Sequence, residues 1–450
     1  MTTSIPAADP TSLRRVAMTA LAGASIEWYD FFLYGTAAAL IFPTAFFPAD
    51  MPPLVAQIAS LSTFAVGFVA RPVGGIIFGH FGDRIGRKRT LVIALMMMGI
   101  ASTLIGFLPT YGTVGVAAPV MLILLRFTQG LAIGGQWGGA TLLVTENAPP
   151  DRRGFYGAFS QAGAPVGMIL ANLAFLGVSG FLPDESFKAW GWRLPFIASA
   201  VLIAISAYVQ LKLEDTPAFK ALEAARKAKE LAAGPGAKAP RSPILEVLAR
   251  HPDRVALAAG AFLCIQVFFY ILVVFTITFG TNKDLGPGLT RNTVLSAVLI
   301  GSMIQIPIQF WASSFSDRHG RRGIFITGAV ISAIWSFALF PLIATGSFPL
   351  IVLGITGGLI GVALQYGPQA AFFTELFSTK VRYSGASLGY QFGAILGGAL
   401  APIVAVALWK NYGIVWVSVY IAGSALLTII SVVLLLETRG ADIHAPHEDD

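Results

Sequence analysis

The chain has 450 residues, of which 55% are hydrophobic and only 12% are charged, and its formal net charge is +7. Soluble domains usually carry about 25% charged residues, so this composition excludes a water-soluble globular protein. The single cysteine, Cys264, lies in an apolar run, which excludes a disulfide framework and a thiolate metal site.

Apolar segments long enough to cross a bilayer recur along the whole chain. They begin near residues 16, 55, 90, 116, 155, 191, 254, 291, 323, 349, 384 and 412, and each crossing needs about 20 apolar helical residues. Because an open sheet cannot satisfy its backbone in lipid, we expect helices. The sequence therefore predicts an all-α membrane protein with twelve transmembrane helices. The first segment follows basic residues as a signal peptide does, but it is too long for one, so we expect an uncleaved helix.

Lysine and arginine concentrate in every second connection, at residues 14–15, 84–89, 152–153, 212–254, 318–322 and 380–382. The positive-inside rule then predicts that both termini are cytoplasmic and that the chain lies in the inner or plasma membrane. The basic surplus orients the protein in its membrane and does not indicate a nucleic-acid partner.

A long polar connection over 214–252 separates two predicted bundles of six helices each, 1–213 and 253–450, the second with a short cytoplasmic tail. The halves repeat their charged residues. GDRIGRKR at 82–89 corresponds to SDRHGRR at 316–322, and Glu146 precedes Arg153 by seven residues as Glu375 precedes Arg382. This repeat predicts a duplicated bundle with pseudo-two-fold symmetry and a site between the two copies.

The repeated motif also predicts a gate on the cytoplasmic side. In GHFGDRIGRKRTL, residues 79–91, the glycines allow a tight turn, and the charged side chains can pair with groups at the ends of other helices. The gate candidates are Gly79, Asp83, Arg84, Gly86, Arg87, Lys88, Glu146, Arg153, Asp317, Arg318, Arg321, Glu375 and Arg382. The alternative is that the basic residues only orient the loop, which leaves Asp83 and the glycines without a role.

Two carboxylates lie inside the first apolar segment, in SIEWYDFFLYG, residues 25–35. Each costs roughly 2.5–3.5 kcal/mol at the centre of a spanning helix, so each needs a compensating partner. A helix rises about 1.5 Å per residue. That rise places Asp30 at a depth similar to Arg126, and Glu27 at a depth similar to Arg71. We therefore expect two buried pairs of opposite charges turned away from lipid.

Several motifs carry a family resemblance. GxxxDRxGRK at 79–88 is similar to the signature of the major facilitator superfamily. EWYDFFLYG, RPVGG (71–75), RFTQGLAIGGQWGGA (126–140) and WGWRLPF (190–196) further resemble its metabolite:proton symporter family. That family includes carriers for shikimate, α-ketoglutarate, citrate, and proline or betaine. The resemblance covers essentially the whole chain. It implies a twelve-helix fold that opens alternately to the two sides of the membrane, and cotransport of a small metabolite with a proton.

The resemblance also implies that Asp30 and Arg126 form the proton-coupling pair. A proton on Asp30 would free Arg126 to bind a substrate carboxylate, which would make proton and anion mutually dependent. The alternative is an ion pair that only fixes helix packing. For Glu27 and Arg71, a structural role and a substrate role both stay open.

Polar and aromatic residues near these charges complete the candidate substrate site: Tyr34, Gln136, Trp137, Gln161 and Gln391. Tyr34 lies one helical turn beyond Asp30. The family commonly carries an acid where Gln136 stands here. Packing between helices is the alternative interpretation of Trp137 and of the glutamines.

The sequence contains no G-x-x-x-x-G-K-[ST] phosphate loop, so uphill transport would draw on an ion gradient. It also shows no nucleophile–base or metal constellation, so we expect no enzyme and no cofactor beyond the proton as coupling ion. The prediction is a monomeric secondary transporter that carries a small organic acid with a proton across the lipid bilayer. The alternatives are symport of a zwitterionic osmolyte such as proline or betaine, and proton-coupled efflux by antiport.

Overall fold

The computed structural model describes residues 10–85, 87–134, 141, 144–146, 148–212, 252–377 and 382–440. Within these ranges, residues 10–12, 79–85, 87–91, 202, 205–212 and 382–384 are described by their backbone alone.

Long helices make up most of the described chain. The first half contains α1 (Pro10–Leu40), α2 (Pro53–Ile85), α3 (Arg87–Phe107), α4 (Ala117–Gly134), α5 (Arg153–Phe181) and α6 (Arg193–Lys212). The second half contains α7 (Pro252–Thr281), α8 (Arg291–His319), α9 (Arg321–Ala344), α10 (Phe348–Glu375), α11 and α12 (Ile414–Leu434). Helix α11 runs from Arg382–Gly393 through the π-helical segment Ala394–Ala399 into Ala401–Tyr412. Helix α7 contains a similar π-helical segment at Ile271–Phe275.

In the part of the chain that the structure describes, nine helices are long and apolar enough to cross a membrane. Helices α1, α3 and α6 fall outside these nine, and α3 contributes the shorter apolar stretch Val92–Phe107. Helix α1 carries Glu27 and Asp30. The predicted all-helical fold with twelve helices is confirmed. The predicted connection at 214–252 lies almost entirely outside the described residues, so the domain boundaries stay predictions.

Glycines bring the helices of the first half close together. A Cβ atom on Gly167 of α5 would lie 2.6 Å from Cβ of Trp28 on α1. A Cβ on Gly134 of α4 would overlap the backbone of Arg71 on α2. Small residues at such crossings let two backbones approach in a membrane, where packing drives association. These close crossings hold α5 against α1 and α4 against α2.

The two halves meet along four helix contacts. Helix α5 packs against α8 and α10, α2 packs against α11, and α1 packs against α7. At the middle of this interface the Tyr270 ring of α7 contacts a group of rings from the first half. Its centroid lies 5.9 Å from that of Phe31, 5.8 Å from Phe64 and 5.2 Å from Phe68. Two of the predicted site residues, Arg71 and Arg126, lie against rings of this aromatic group.

Candidate functional site

Arg126 lies on α4 with only 1% of its surface exposed. Its guanidinium carbon lies 4.2, 4.5 and 4.9 Å from the ring centroids of Tyr34, Phe31 and Phe64. One terminal nitrogen, Nη1, donates to Gln129 Oε1 at 3.1 Å. Aromatic faces attract a buried cation, so the rings replace part of the hydration that Arg126 has lost.

Asp30 lies on α1 and is 2% exposed. Its Oδ1 accepts a short hydrogen bond from the Ser199 hydroxyl of α6, and the Ser102 hydroxyl of α3 lies beside the same carboxylate. Oδ2 has no hydrogen-bond partner among the described residues. The carboxylate is therefore buried but has spare accepting capacity.

Asp30 and Arg126 are connected through side chains rather than by direct contact. Arg126 donates to Gln129, and Gln129 Nε2 donates to Ser102 Oγ at 2.7 Å. Ser102 in turn lies beside Asp30. The charges remain close enough to attract each other. The two groups do not form the direct charge pair that helix depth predicted, because Gln129 and Ser102 lie between them, and the coupling role of the pair stays a prediction.

Arg71 on α2 has a different environment. It is 2% exposed, and its Cζ lies 4.6, 4.7 and 5.8 Å from the ring centroids of Phe31, Phe68 and Trp28. Within the described part of the chain neither Arg71 nor Arg126 lies within ion-pair distance of a carboxylate. Glu27 is near enough to Arg71 for Coulomb attraction only.

The second half contributes three tyrosines to the environment of Arg71. Tyr270 of α7 and Tyr390 of α11 lie with their hydroxyls beside its guanidinium. Tyr366 of α10 lies beside Tyr390. Arg71 thus faces the opposite half across the interface. The three rings that lie against the Arg126 guanidinium all belong to its own half, and Tyr270 is near enough to Arg126 for Coulomb attraction only.

Buried amides continue the site from these tyrosines. Gln161 of α5 donates to Gln369 Oε1 of α10 at 2.7 Å and to the Tyr366 carbonyl at 3.3 Å. Gln369 Nε2, both polar side-chain atoms of Gln309, and Gln391 Oε1 have no partner among the described residues. Gln161 therefore bridges the halves, and several neighbouring amides keep free hydrogen-bonding groups.

An ionic cluster joins the halves at one end of the bundle, at the turn between α8 and α9. The charge pattern predicts that this end is cytoplasmic, and it is called the inner face below. Glu375 Oε1 accepts from Arg153 Nη1 at 3.3 Å and from Arg321 Nη2 at 3.2 Å. Arg321 Nη1 also lies 2.7 Å from Asp317 Oδ1. These four side chains are all buried.

Asp317 also caps the N-terminus of α5. Its carboxylate accepts hydrogen bonds from the backbone N–H groups of Gly154 at 2.8 Å and Phe155 at 2.9 Å. The first N–H groups of a helix lack partners and carry partial positive charge, so an acid stabilises them. The acid and the helix belong to different halves, so this contact joins the two halves at the inner face.

Residues after α12 support the cluster. Glu437 accepts from the backbone N–H groups of Arg321 at 2.8 Å and Arg322 at 3.0 Å, and so caps α9. Thr438 Oγ1 donates to Glu375 Oε2 at 2.7 Å. Burial pushes the pKa of Glu437 upward, but four backbone N–H groups stabilise the charged form and hold its pKa below the ordinary value.

The halves also touch at the opposite end, the outer face. Gln57 Nε2 of α2 lies 3.4 Å from Thr278 Oγ1 of α7, and Arg291 Nη1 lies 3.0 Å from Asp184 Oδ1. A hydrogen bond from Lys188 lowers the pKa of the exposed Asp184, and Arg291 lowers it further. Contacts at both ends enclose the charged centre.

The remaining predicted residues are those that the structure does not describe, those described by backbone alone, and Glu146 and Arg318. Gly86, Gln136 and Trp137 lie outside the described residues, and no side-chain placement is described for Gly79, Asp83, Arg84, Arg87, Lys88 and Arg382. Glu146 is partly buried and lies in the helical residues 144–146, beyond the described end of α4. Arg318 is exposed, because it follows Asp317 directly and lies on another side of α8. It joins none of the contacts of the described cluster, and its place in the gate stays a prediction.

Several residues of the site were not predicted from the sequence. They are Ser102, Gln129, Ser199, Gln309, Gln369, Tyr270, Tyr366 and Tyr390. The signal for some of them is a polar side chain in an otherwise apolar helix. Among the described residues, no group of three or more histidine, cysteine or acidic side chains could hold a metal ion.

Comparison with known proteins gives the family. The family model for sugar (and other) transporters matches residues 16–448. The chain is 43% identical over 433 residues to the inner membrane metabolite transport protein YhjE of Escherichia coli (strain K12), and the match covers 95% of each chain. It is 38% identical over 434 residues to the shikimate transporter of the same organism, again over 95% of each.

A solved structure shows the same fold. The proton:xylose symporter XylE bound to 6-bromo-6-deoxy-D-glucose aligns with a TM-score of 0.73 at 17% identity, covering 96% of this chain and 98% of that chain. The resemblance found in the motifs is confirmed, as is the expectation that the chain is not an enzyme. The chain therefore belongs to the sugar (and other) transporter family of the major facilitator superfamily, and it is a multi-pass membrane transporter.

Proposed function

We propose that this transporter carries a small organic acid together with a proton by alternating access. The observation that carries the proposal is the enclosed centre, where two buried guanidiniums, Arg71 and Arg126, contact no carboxylate among the described residues. Uncompensated buried positive charge favours an anionic occupant. The similarity to a protein named shikimate transporter supports the same substrate class.

Asp30 is the proposed proton acceptor. When it is charged, it attracts the neighbouring guanidiniums and repels an anionic cargo. Protonation removes that negative charge and strengthens the attraction between the two arginines and a cargo carboxylate. The unpartnered Oδ2 of Asp30 is the atom available for the proton. Proton and cargo thereby favour each other's binding.

Cotransport also solves an electrical problem. Moving one negative charge into a cell with an interior-negative potential costs about 2.3 kcal/mol per 100 mV. A proton that travels with a monovalent anion cancels this term. The contacts at the inner and outer faces are the proposed gates, and one must open while the other stays closed.

The centre is less suited to a betaine-like osmolyte. A quaternary ammonium group binds best on open aromatic faces. The rings of Trp28, Phe31 and Phe68 already lie against the Arg71 guanidinium. An efflux antiporter would use the same residues, but proton and cargo would then compete for the site.

The test is uptake into proteoliposomes under an imposed pH gradient, with labelled shikimate, α-ketoglutarate and betaine as cargo. We expect accumulation of an acid when the interior is alkaline. Asp30→Asn should abolish accumulation but retain exchange of labelled for unlabelled acid, since the site stays neutral and occupied. Asp284→Asn, which changes an exposed loop acid, is the matched control. Full accumulation by Asp30→Asn would overturn the proposed coupling, and accumulation of betaine alone would overturn the substrate class.

A further inference from the structure

The two buried arginines differ in what a cargo molecule could reach. Arg126 is packed against Tyr34, Phe31 and Phe64, and it already donates to Gln129. All of these residues belong to the first half. A ligand can favour one arrangement of two bodies over another only if it interacts differently with the two arrangements. Contact with Arg126 alone would give a cargo little influence on the opposite half.

Arg71 faces the opposite half. Tyr270 of α7 and Tyr390 of α11 lie beside its guanidinium. Arg71 Nε and the Tyr270 hydroxyl have no hydrogen-bond partner among the described residues. A carboxylate placed here could accept from the guanidinium and from a tyrosine of the second half together. Such a carboxylate would contact both halves at once, so its binding could favour one arrangement of the halves over another.

A set of amides lies at the other end of the same polar path. Tyr366 connects the two ends, because its side chain lies beside Tyr390 while its carbonyl accepts from Gln161. Gln309 of α8 lies against the same stretch of α10, since a Cβ on Gly367 would lie 2.5 Å from the Gln309 carbonyl oxygen.

These amides are buried without sufficient partners. Gln309 is 0% exposed, and both polar atoms of its side chain lack partners among the described residues, as does Gln369 Nε2. A buried polar group without a hydrogen bond costs about 1–3 kcal/mol. Native proteins keep such groups mainly where something else satisfies them. Amides, which both donate and accept, match hydroxyl groups.

We infer that the cargo is a hydroxylated carboxylic acid, whose carboxylate binds Arg71 between Tyr270 and Tyr390 and whose hydroxyls bind Gln309 and Gln369. This inference rests on the proposed function and assigns separate tasks to the arginines. Arg71 holds the cargo, and Arg126 with Gln129 and Ser102 serves the proton site at Asp30.

The first experiment measures binding to the purified protein by calorimetry. The probes are three hydroxylated acids, shikimate, quinate and gluconate, each paired with its counterpart without ring or chain hydroxyls: cyclohexene-1-carboxylate, cyclohexanecarboxylate and hexanoate. At least one hydroxylated acid should bind more tightly than its counterpart. Its methyl ester should bind more weakly than the acid, because the ester cannot pair with Arg71.

The second experiment uses variants. Gln309→Leu should weaken binding of the hydroxylated acid roughly two- to tenfold, which corresponds to the loss of one hydrogen bond. Binding of the counterpart without hydroxyls should not change. Because the Gln309 amide makes no bond within the described chain, the variant should fold. Gln365→Leu is the control, since Gln365 is a buried amide that donates to Ser332 and to the Gly361 carbonyl. It should not change the preference for hydroxyls. Arg71→Gln should lose most of the preference for acid over ester. Arg126→Gln should retain most of it, because Arg126 attracts the carboxylate without contacting it.

Two results would overturn the inference. One is equal binding of hydroxylated acids and their counterparts, which would mean that water alone satisfies the amides. The other is loss of the acid preference in Arg126→Gln but not in Arg71→Gln. Neither result bears on the proposed function, because pH-driven accumulation of an acid without hydroxyls would leave symport intact. Absence of accumulation for every acid would instead refute the function itself.

Discussion

Arg71 and Arg126 lie against the same aromatic ring, with their guanidinium carbons 4.6 and 4.5 Å from the centroid of Phe31. Two cations repel each other, and they are near enough to do so here. An aromatic face carries negative charge density and attracts both. Phe31 lies on the same helix as Asp30 and is its next residue. A change at Asp30 therefore acts on the residue that both arginines contact.

Gly67 controls the position of Arg126. A Cβ on Gly67 would lie 2.5 Å from Arg126 Nε and 2.9 Å from its Cζ. Rings on several sides leave the guanidinium little room to move. We expect Gly67→Ala to displace the guanidinium and to reduce pH-driven uptake about five- to 150-fold, since overpacking usually costs about 1–3 kcal/mol.

The matched control is Gly177→Ala in α5, where a Cβ would meet nothing within 4 Å. It should transport normally and be slightly more stable, because alanine favours a helix by up to about 1 kcal/mol over glycine. Normal uptake by a correctly folded Gly67→Ala protein would contradict the importance of this packing.

Position 154, where Asp317 of the opposite half contacts the first turn of α5, has no room for a side chain larger than that of glycine. A Cβ there would lie 2.6 Å from Arg321 Nη1 and 2.8 Å from Asp317 Oδ1. Gly154→Ala should therefore open the inner face. Spin labels on Arg152→Cys and Arg318→Cys, two exposed positions on opposite halves, would report a longer distance. Cys264 is replaced in this background.

The comparison for this variant is Gly323→Ala on α9, where a Cβ would contact nothing within 4 Å. The distance between the two labels should then equal the distance in the doubly labelled protein that keeps all its glycines. If Gly154→Ala gives this same unchanged distance, the contact between Asp317 and α5 does not determine closure.

Glu375 lies at the centre of the ionic cluster of the inner face. It accepts from Arg153, Arg321 and Thr438, and it is 2% exposed. Glu375→Gln removes the charge and leaves two buried guanidiniums poorly compensated. Removing one partner of a buried ion pair costs about 3–5 kcal/mol. The closed arrangement loses this energy, so the same label pair should show a dominant open population.

Glu185→Gln, a change at an exposed glutamate of the outer face, should leave that label distance unchanged. A Glu375→Gln protein that stays closed would show that backbone contacts alone hold the inner face.

Glu437 makes stability depend on pH. Its pKa is lowered in the folded protein, so its stabilisation is present above the ordinary value of 4.5 and is lost as the pH falls through the folded value. At pH 7, Glu437→Gln should destabilise the protein by about 0.5–1 kcal/mol, the lower part of the capping range because solvent screens this partly exposed group. Thermal unfolding in detergent should show a lower Tm.

The difference in Tm between wild type and Glu437→Gln should shrink towards zero as the pH falls below the ordinary value of 4.5. A difference that stays constant from pH 7 to pH 4 would mean that the charge of Glu437 does not matter.

The acids and arginines of the centre could be identified from the sequence, because a charged side chain in an apolar segment has a high free-energy cost in lipid and is rare there. The sequence also identified Arg153, Asp317, Arg321 and Glu375 because the two halves repeat the same charged pattern. Tyrosines gave no such signal, since Tyr270 and Tyr390 occur in helices where aromatic residues are common. The cap that Glu437 places on α9 depends on where the chain returns after α12, and no local pattern shows that return.

The side chains that contact the buried charges could not be predicted from the sequence either. Depth along a helix placed Asp30 and Arg126 at one level, but it does not tell which side chains fill the space between them. Gln129 lies one helical turn after Arg126 on α4, but Ser102 comes from α3, and only packing brings the two helices together there.

The π-helical segment of α7 begins directly after Tyr270, at Ile271–Phe275. Such a segment contains one more residue than regular helical geometry requires. Reverting to that geometry would turn the following stretch by about 100° and shift it by about 1.5 Å. Thr278, which holds Gln57 at the outer face, lies in that stretch. A change of register beside Tyr270, a tyrosine of the proposed cargo site, would thus separate Thr278 from Gln57 and break this contact at the outer face.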